Sequence, residues 1–165
     1  MGGDEEVTLR EWASLQRTLI EPRLQHWRGR IANRAGDGLL LEFGSALDAF
    51  RWAVEVQEGI ASRSFHEVSL SVRISLHLGD VLDDEDGEVQ GDGVNVAARL
   101  QAHALVGGII LSQAFADAVA GKTDRIFADL GLLALKNMRR PVRAFRVLGP
   151  TASADAAGVR SHRRR

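Results

Sequence analysis

The chain has 165 residues, 45% of them hydrophobic, 26% charged and 5% aromatic, with a formal net charge of −1. That length suits one globular domain, large enough to bury well over half of the surface its unfolded chain would expose. The lack of cysteine excludes a disulfide framework, Cys-ligated zinc, an Fe–S cluster and a thiol nucleophile, so the fold holds by packing and a reducing cytosol suits it.

From about Glu5 to Trp27 the apolar residues Val7, Leu9, Trp12, Leu15, Leu19, Leu24 and Trp27 recur mostly at helical spacing. They predict an amphipathic helix that Pro22 kinks or divides. Arg30 to Ala35 and Leu39 to Phe43 read as two strands joined at Gly36-Asp37-Gly38, because Asp-Gly between extended runs is a hairpin signal. Ser45 caps a helix to about Ser62, with Ala46, Ala49, Phe50, Ala53, Val54, Val56 and Ile60 toward the core. Asp48, Arg51, Glu55 and Glu58 then face water. Ser69 to Val81 alternates Leu70, Val72, Ile74, Leu76 and Leu78 with Ser71, Arg73, Ser75 and His77, which predicts a strand with one buried face.

An acidic turn follows at Asp83-Asp84-Glu85-Asp86-Gly87, and Gly91-Asp92-Gly93 opens a short helix containing Val94, Val96, Ala97 and Leu100. Gly108 to Leu111 is a short apolar strand, Ser112 starts a helix to about Ala120, and Phe127 to Leu135 and Val142 to Leu148 are extended. Strands and helices alternate while hairpins also occur, so the class is α+β, a sheet with helices on one face. Residues 150 to 165 hold Arg160, Arg163, Arg164 and Arg165 against Asp155, with Val159 as the one large apolar side chain. They predict a disordered basic tail behind a mildly acidic domain of residues 1 to 149. A basic end can touch nucleic acid or acidic lipid, but a solvated C-terminus accounts for it, and no nucleic-acid partner is expected. No apolar run approaches the roughly 20 residues of a spanning helix, and Met1-Gly-Gly-Asp-Glu-Glu does not open like a secretory signal. The expected place is the cytoplasm.

Several groups can carry chemistry. Asp37 lies between two glycines at a hairpin tip, where an exposed carboxylate can hold Mg²⁺ with help from substrate phosphates. Taken alone, turn chemistry explains the same aspartate. Asn95 and Arg99, four apart, share one face of the helix that Gly91-Asp92-Gly93 opens. An amide beside a guanidinium near a helix N-terminus suits a phosphate or another oxyanion, although by spacing alone a surface pair is the simpler account. The acidic run from Asp83 to Asp86 lacks the ligand spacing and closing Glu of an EF-hand and reads as a solvated turn. His26, His66, His77 and His103 form no pair at i, i+4 and receive no catalytic role.

Three segments, in order, resemble the catalytic domain of class III adenylate and guanylate cyclases. They are Gly29-Arg-Ile-Ala-Asn-Arg-Ala-Gly-Asp-Gly-Leu-Leu-Leu-Glu-Phe43, Val72-Arg-Ile-Ser-Leu-His-Leu-Gly-Asp-Val81 and Gly87-Glu-Val-Gln-Gly-Asp-Gly-Val-Asn-Val-Ala-Ala-Arg-Leu100. The closing Leu135-Lys-Asn-Met-Arg-Arg-Pro-Val-Arg-Ala-Phe-Arg-Val147 is similar to the end of bacterial members, and the likeness runs from about Asp4 to Gly149. It implies a ferredoxin-like, mainly antiparallel sheet with helices packed on it. The implied assembly is a head-to-tail homodimer, or a pairing with another cyclase domain, with active sites between subunits. The implied reaction is attack of the 3′ hydroxyl of ATP or GTP on its own α-phosphate, giving a cyclic 3′,5′ nucleotide and pyrophosphate. Two ions, Mg²⁺ or Mn²⁺, belong to the complete family site.

By matching motif, the resemblance gives Asp37 to one of two metal-binding aspartates, Asn95 to the ribose, and Arg99 to the pentavalent phosphorus of the partner subunit's site. Lys136, or Arg139 and Arg140 just after it, would meet the terminal phosphates. The family's other metal aspartate lies on a strand ahead of the first helix, and Met1-Gly-Gly-Asp-Glu-Glu is expected to begin past that strand. At the purine positions Asn33 stands for the usual Lys of adenylate cyclases and Glu88 for the usual Asp. Glu88 can still accept from an adenine amino group, while Asn33 brings no charge, a balance that favours ATP weakly over GTP. Three functions follow: an active cyclase making cyclic AMP, a catalytically dead homology domain that regulates by binding nucleotide, and a dimerisation module without ligand.

Overall fold

The computed structural model describes residues 2–35, 38–63, 69–79, 82–83, 89–90 and 92–150. Helix α1 (Gly2–Leu15) runs into one π-helical turn (Gln16–Ile20) and then α2 (Glu21–His26). Pro22 has no N–H to give, and its ring crowds the carbonyl four residues back. In the wide turn just ahead of it the Glu21 N–H reaches the Gln16 carbonyl, five residues back, and the helix continues past the proline instead of dividing. The same turn keeps Leu15, Ile20 and Leu24 on one buried stripe. There the Trp52 indole donates to the Ile20 carbonyl at 3.3 Å.

The predicted hairpin forms from β1 (Gly29–Ala35) and β2 (Gly38–Phe43), with Ala35 opposite Gly38 and a bulge between Ile31 and Asn33. Helix α3 (Ala46–Ser62) starts where Ser45 Oγ accepts the Asp48 N–H at 3.3 Å. Asp48, expected toward water, is buried instead, because its carboxylate turns onto the Arg28 guanidinium at 3.1 Å. Of the alternating run predicted as one strand from 69 to 81, the described residues 69–79 make a ladder at β3 (Ile74–Leu76), paired with β6 (Ile109–Ser112), and nowhere else. Just before β3 the Val72 carbonyl accepts the Gly107 N–H at 2.9 Å and the Gln57 amide at 3.0 Å. A loop and a side chain thus take over where the ladder stops.

The main sheet has the order β3-β6-β8-β7, with β7 at Arg125–Leu133 and β8 at Val142–Pro150. Its β3–β6 pair is parallel and its other pairs are antiparallel. The β1–β2 hairpin and a short pair, β4 (Leu82–Asp83) with β5 (Val89–Gln90), are separate ladders among the described residues. Helices α4 (Asp92–Gln101) and α5 (Gln113–Val119) complete the set, α5 capped by Ser112 Oγ on the Phe115 N–H at 3.3 Å.

Alternation along β6 divides the core. Ile109 and Leu111, with Ile74 and Leu76 of β3, join the layer built by α3, α5 and the N-terminal helices. Ile110 points the other way and joins Ala144 of β8 and Leu135, covered by Val96 and Leu100 of α4. Helices therefore cover both faces of the sheet, where the sequence suggested one. No helix among the described residues is long and apolar enough to cross a membrane.

Because Leu111 is completely buried in the first layer, Leu111→Ala is expected to cost about 2–5 kcal/mol in urea unfolding. Leu132→Ala, at a position 66% exposed, should change stability by less than about 0.5 kcal/mol.

Candidate active site

Helix α4 is short and carries opposite charges at its ends, Asp92 in the first turn and Arg99 in the last, each of the sign the helix dipole favours. Val96 and Leu100, four apart, are the residues it buries. Asn95 and Arg99 each precede one of them and are exposed, so the buried stripe sets the direction in which the amide and the guanidinium are offered. They stand on an open helix surface. A depression of about 270 Å³ elsewhere, between α3 and the chain entering β7, is lined by Phe50, Arg51, Val54 and Lys122 among others and includes none of the predicted site residues.

Lys136 is held near the same layer. Leu135 is buried in the cluster of Val96 and Leu100, and the chain then turns as the Met138 N–H returns to the Leu135 carbonyl at 3.1 Å. The turn puts Asn137 at φ 62°, a left-handed conformation that asparagine tolerates better than most residues. Lys136, Arg139 and Arg140 are exposed there. Arg143 is occupied, donating to both carboxylate oxygens of Asp129 at 2.8 and 3.2 Å. The hydrogen bond from Arg143, then that from the Gly131 N–H, holds the Asp129 carboxyl below its ordinary range. Lys136, Arg139 and Arg140 are thus the cations of this turn that Asp129 does not hold.

Asn33 is exposed on β1, just after the bulge and opposite Leu40. Its hairpin packs through Ile31, Leu39, Leu41 and Phe43 on the first core layer, whereas α4 and Leu135 rest on the second. Asp37 and Glu88 lie outside the described residues. Among those described, no three His, Asp or Glu side chains gather closely enough to hold a metal ion. Asp37 nonetheless offers the hard oxygen donor that Mg²⁺ and Mn²⁺ take, so its chemistry fits such an ion.

His77, given no role by spacing, is engaged. Its Nδ1 lies 2.7 Å from Ser112 Oγ, the atom that caps α5. A side chain at Gly79 would start 2.9 Å from His77 Nε2 and 3.2 Å from Gly93 Cα, so the first turn of α4 closes on this ring and the chain beside it. The one signal for His77 in the sequence is its place on the polar side of the alternating run.

No protein-family model matches the chain. A crystal structure of an adenylate/guanylate cyclase/hydrolase from Silicibacter pomeroyi is 34% identical, matches at a TM-score of 0.78, and aligns over 86% of this chain and 85% of that one. The chain belongs to the class III adenylate/guanylate cyclase catalytic domains. A curated relative from Rhizobium meliloti, named "Putative adenylate cyclase 3", is 37% identical to this cyclase domain over 145 residues. That match takes in 86% of the domain but only 24% of the relative's length. A Trypanosoma brucei adenylate cyclase structure, in its monomeric state, shares the fold at a TM-score of 0.79 with 17% identity, over 88% of this chain and 80% of its own. The α+β cyclase fold expected from the motifs is the fold observed.

Burial lowers the pKa of His77 below 6.5. The unfolded chain then binds the proton more readily, so stability is full above the ordinary histidine range and falls as pH drops below 6.5 toward the lower folded value. Melting temperature should accordingly decline between pH 7 and pH 5, and His77→Asn, which cannot titrate, should remove part of that decline.

Proposed function

We propose that this cyclase domain converts ATP to cyclic 3′,5′-AMP and pyrophosphate in a site shared between two copies of the chain. The observation that carries the reading is the exposed pair Asn95 and Arg99 on α4, held in direction by the buried Val96 and Leu100. In the reaction the ribose 3′ oxygen forms a bond to the α-phosphorus while the bond to the β-phosphate oxygen breaks. The hydroxyl proton is lost and pyrophosphate leaves with the electron pair.

Negative charge grows on the α-phosphoryl oxygens as the two bonds exchange, and the Arg99 guanidinium is the donor placed to meet it. Asn95 orients the ribose so that its 3′ oxygen is in line. Lys136, or Arg139 and Arg140 on the same turn, would hold the terminal phosphates. Glu88 accepts from the adenine amino group, and Asn33 offers a neutral amide to a purine acceptor. Asp37 would hold Mg²⁺ or Mn²⁺, which when bound supplies a lower hydroxyl pKa and charge neutralisation. The exposure of the α4 pair and the separate core layers under α4 and the Asp37 hairpin support a site completed by a second subunit.

The resemblance matches one metal aspartate where the family uses two. These 165 residues assayed alone should make little cyclic AMP with Mg²⁺ or Mn²⁺, and a chain extended upstream by an aspartate-bearing strand should make it in an Asp37-dependent way. In the active form Arg99→Ala is expected to lower kcat by about 10²-fold or more while KM for ATP changes far less, since the charge it meets appears mainly in the transition state. Mixing inactive Asp37→Ala and Arg99→Ala chains should restore activity, because one of the two interfacial sites then has both residues. No recovery after proven subunit exchange excludes the shared site. ATP binding without turnover in either form makes the domain a regulatory module instead.

Asn33→Lys combined with Glu88→Asp should raise the ATP-over-GTP ratio of kcat/KM by about tenfold, through a charged donor and a shorter acceptor at the base. An unchanged ratio means that these two residues do not touch the purine.

A further inference from the structure

Ser75 on β3, with Arg73 and His77 just outside its two ends, alternates with the core residues Ile74 and Leu76, one polar side chain every second residue. Arg73 stays exposed, while Ser75, which meets α4, and His77 are only partly so. Ser75 Oγ donates to the Ala97 carbonyl at 2.5 Å. Arg73 Nε donates to the Ala104 carbonyl at 3.1 Å, just past the end of the helix. The Gln101 amide donates back to the Arg73 carbonyl at 3.1 Å, so this end is tied in both directions.

Elsewhere α4 meets the sheet through Val96 and Leu100, and apolar contact of that kind resists lifting much more than it resists a small rotation or slide. Hydrogen bonds are directional and forbid both. Ala97 lies two residues after Asn95 and two before Arg99, about 200° around the helix from each. The Ser75 bond therefore fastens the back of α4 at the level where its front presents the amide and the guanidinium.

We infer that Ser75 is a positioning residue for Asn95 and Arg99, with Arg73 and Gln101 completing a polar seam that sets the rotation of α4. This rests on the cyclase reading above for its effect on rate. The seam itself can be examined without it.

The experiment compares the parent, Ser75→Ala, Ser75→Thr, Arg99→Ala and the Ser75→Ala/Arg99→Ala double variant, all in the upstream-extended dimeric chain. Ser75→Ala should lower kcat by about tenfold with KM for ATP within about twofold, because donors displaced by a fraction of an ångström lose transition-state contact first. Ser75→Thr keeps the hydroxyl and should restore most of the rate. In the Arg99→Ala background Ser75→Ala should cost clearly less than in the parent, since only the Asn95 contact is left to displace, whereas a general weakening of the fold adds its full loss there. An activity-independent reading comes from a trifluoromethyl tag on Ala98→Cys in the 165-residue chain, unique there because these residues include no other cysteine. One sharp ¹⁹F line is expected for the parent and Ser75→Thr, and a broadened or split line for Ser75→Ala.

An unchanged line in Ser75→Ala overturns the positioning role, as does an additive loss of rate in the double variant. If the parent makes no cyclic nucleotide, the cyclase reading fails, and the fluorine spectra still decide whether Ser75 sets the helix.

Discussion

Four residues of β6 must serve two cores at once, and most of the domain is arranged around that demand. Ile109 and Leu111 belong to the layer under α3 and α5, Ile110 to the layer under α4, and Ser112 ends the strand by capping the next helix. All four are buried. A strand covered on both faces reads as a continuous apolar run, as Ile109-Ile-Leu111 does, and it has no slack in register. A slip of one residue would exchange Ile110 with its neighbours and send the Ser112 hydroxyl to the wrong side. Its partners inherit the register, β3 in parallel and β8 antiparallel.

The parts legible in the sequence are those whose cause is local. Ser45 and Ser112 announce helix starts because an N-cap needs only its own hydroxyl and an N–H three residues on. The hairpin around Gly36-Asp37-Gly38 follows from two extended runs meeting at a turn. What stayed hidden depends on remote partners. The polar side of the run from Ser69 to Val81 looks like a solvent face, and only the position of α4, some twenty residues on, turns it into a contact. Asp48 looks like a water-facing helix residue until Arg28 arrives from the preceding turn. Pro22 signals a break, and the remedy adopted, a wider turn ahead of it, leaves no mark in hydrophobic spacing. The candidate site divides in the same way. Asn95, Arg99 and Lys136 came from motif order, while Ser75 and His77 became visible only through what they touch.

The polar ties of this domain differ in consequence according to where they lie. The Asp129–Arg143 pair is well aligned, but both side chains are close to half exposed, so solvent screens it and it contributes little to stability. Its effect is on availability, since it withdraws Arg143 from the basic turn that holds Lys136, Arg139 and Arg140. The Ser75 and His77 contacts involve no ion pair, yet they sit between packed elements, where a lost partner leaves a polar group away from water. An exposed carboxylate–guanidinium pair chooses among cations. A hydroxyl under a helix chooses its orientation.

This distinction bears on why Asn95 and Arg99 are exposed. A guanidinium buried within one subunit would need a permanent counter-charge, and in the proposed reaction that partner would compete with the phosphate. On an open helix surface Arg99 stays solvated at little cost, and in the proposed shared site water would leave only when a second subunit closed over the nucleotide. The field of the cation would then strengthen as the substrate was enclosed. Such an arrangement would transfer the demand for accuracy from the pocket to the helix that carries the pair. Val96 and Leu100 keep α4 on the sheet, but accuracy on the scale of a reacting bond requires directional contacts behind it, and the polar face of β3 is where the fold supplies them.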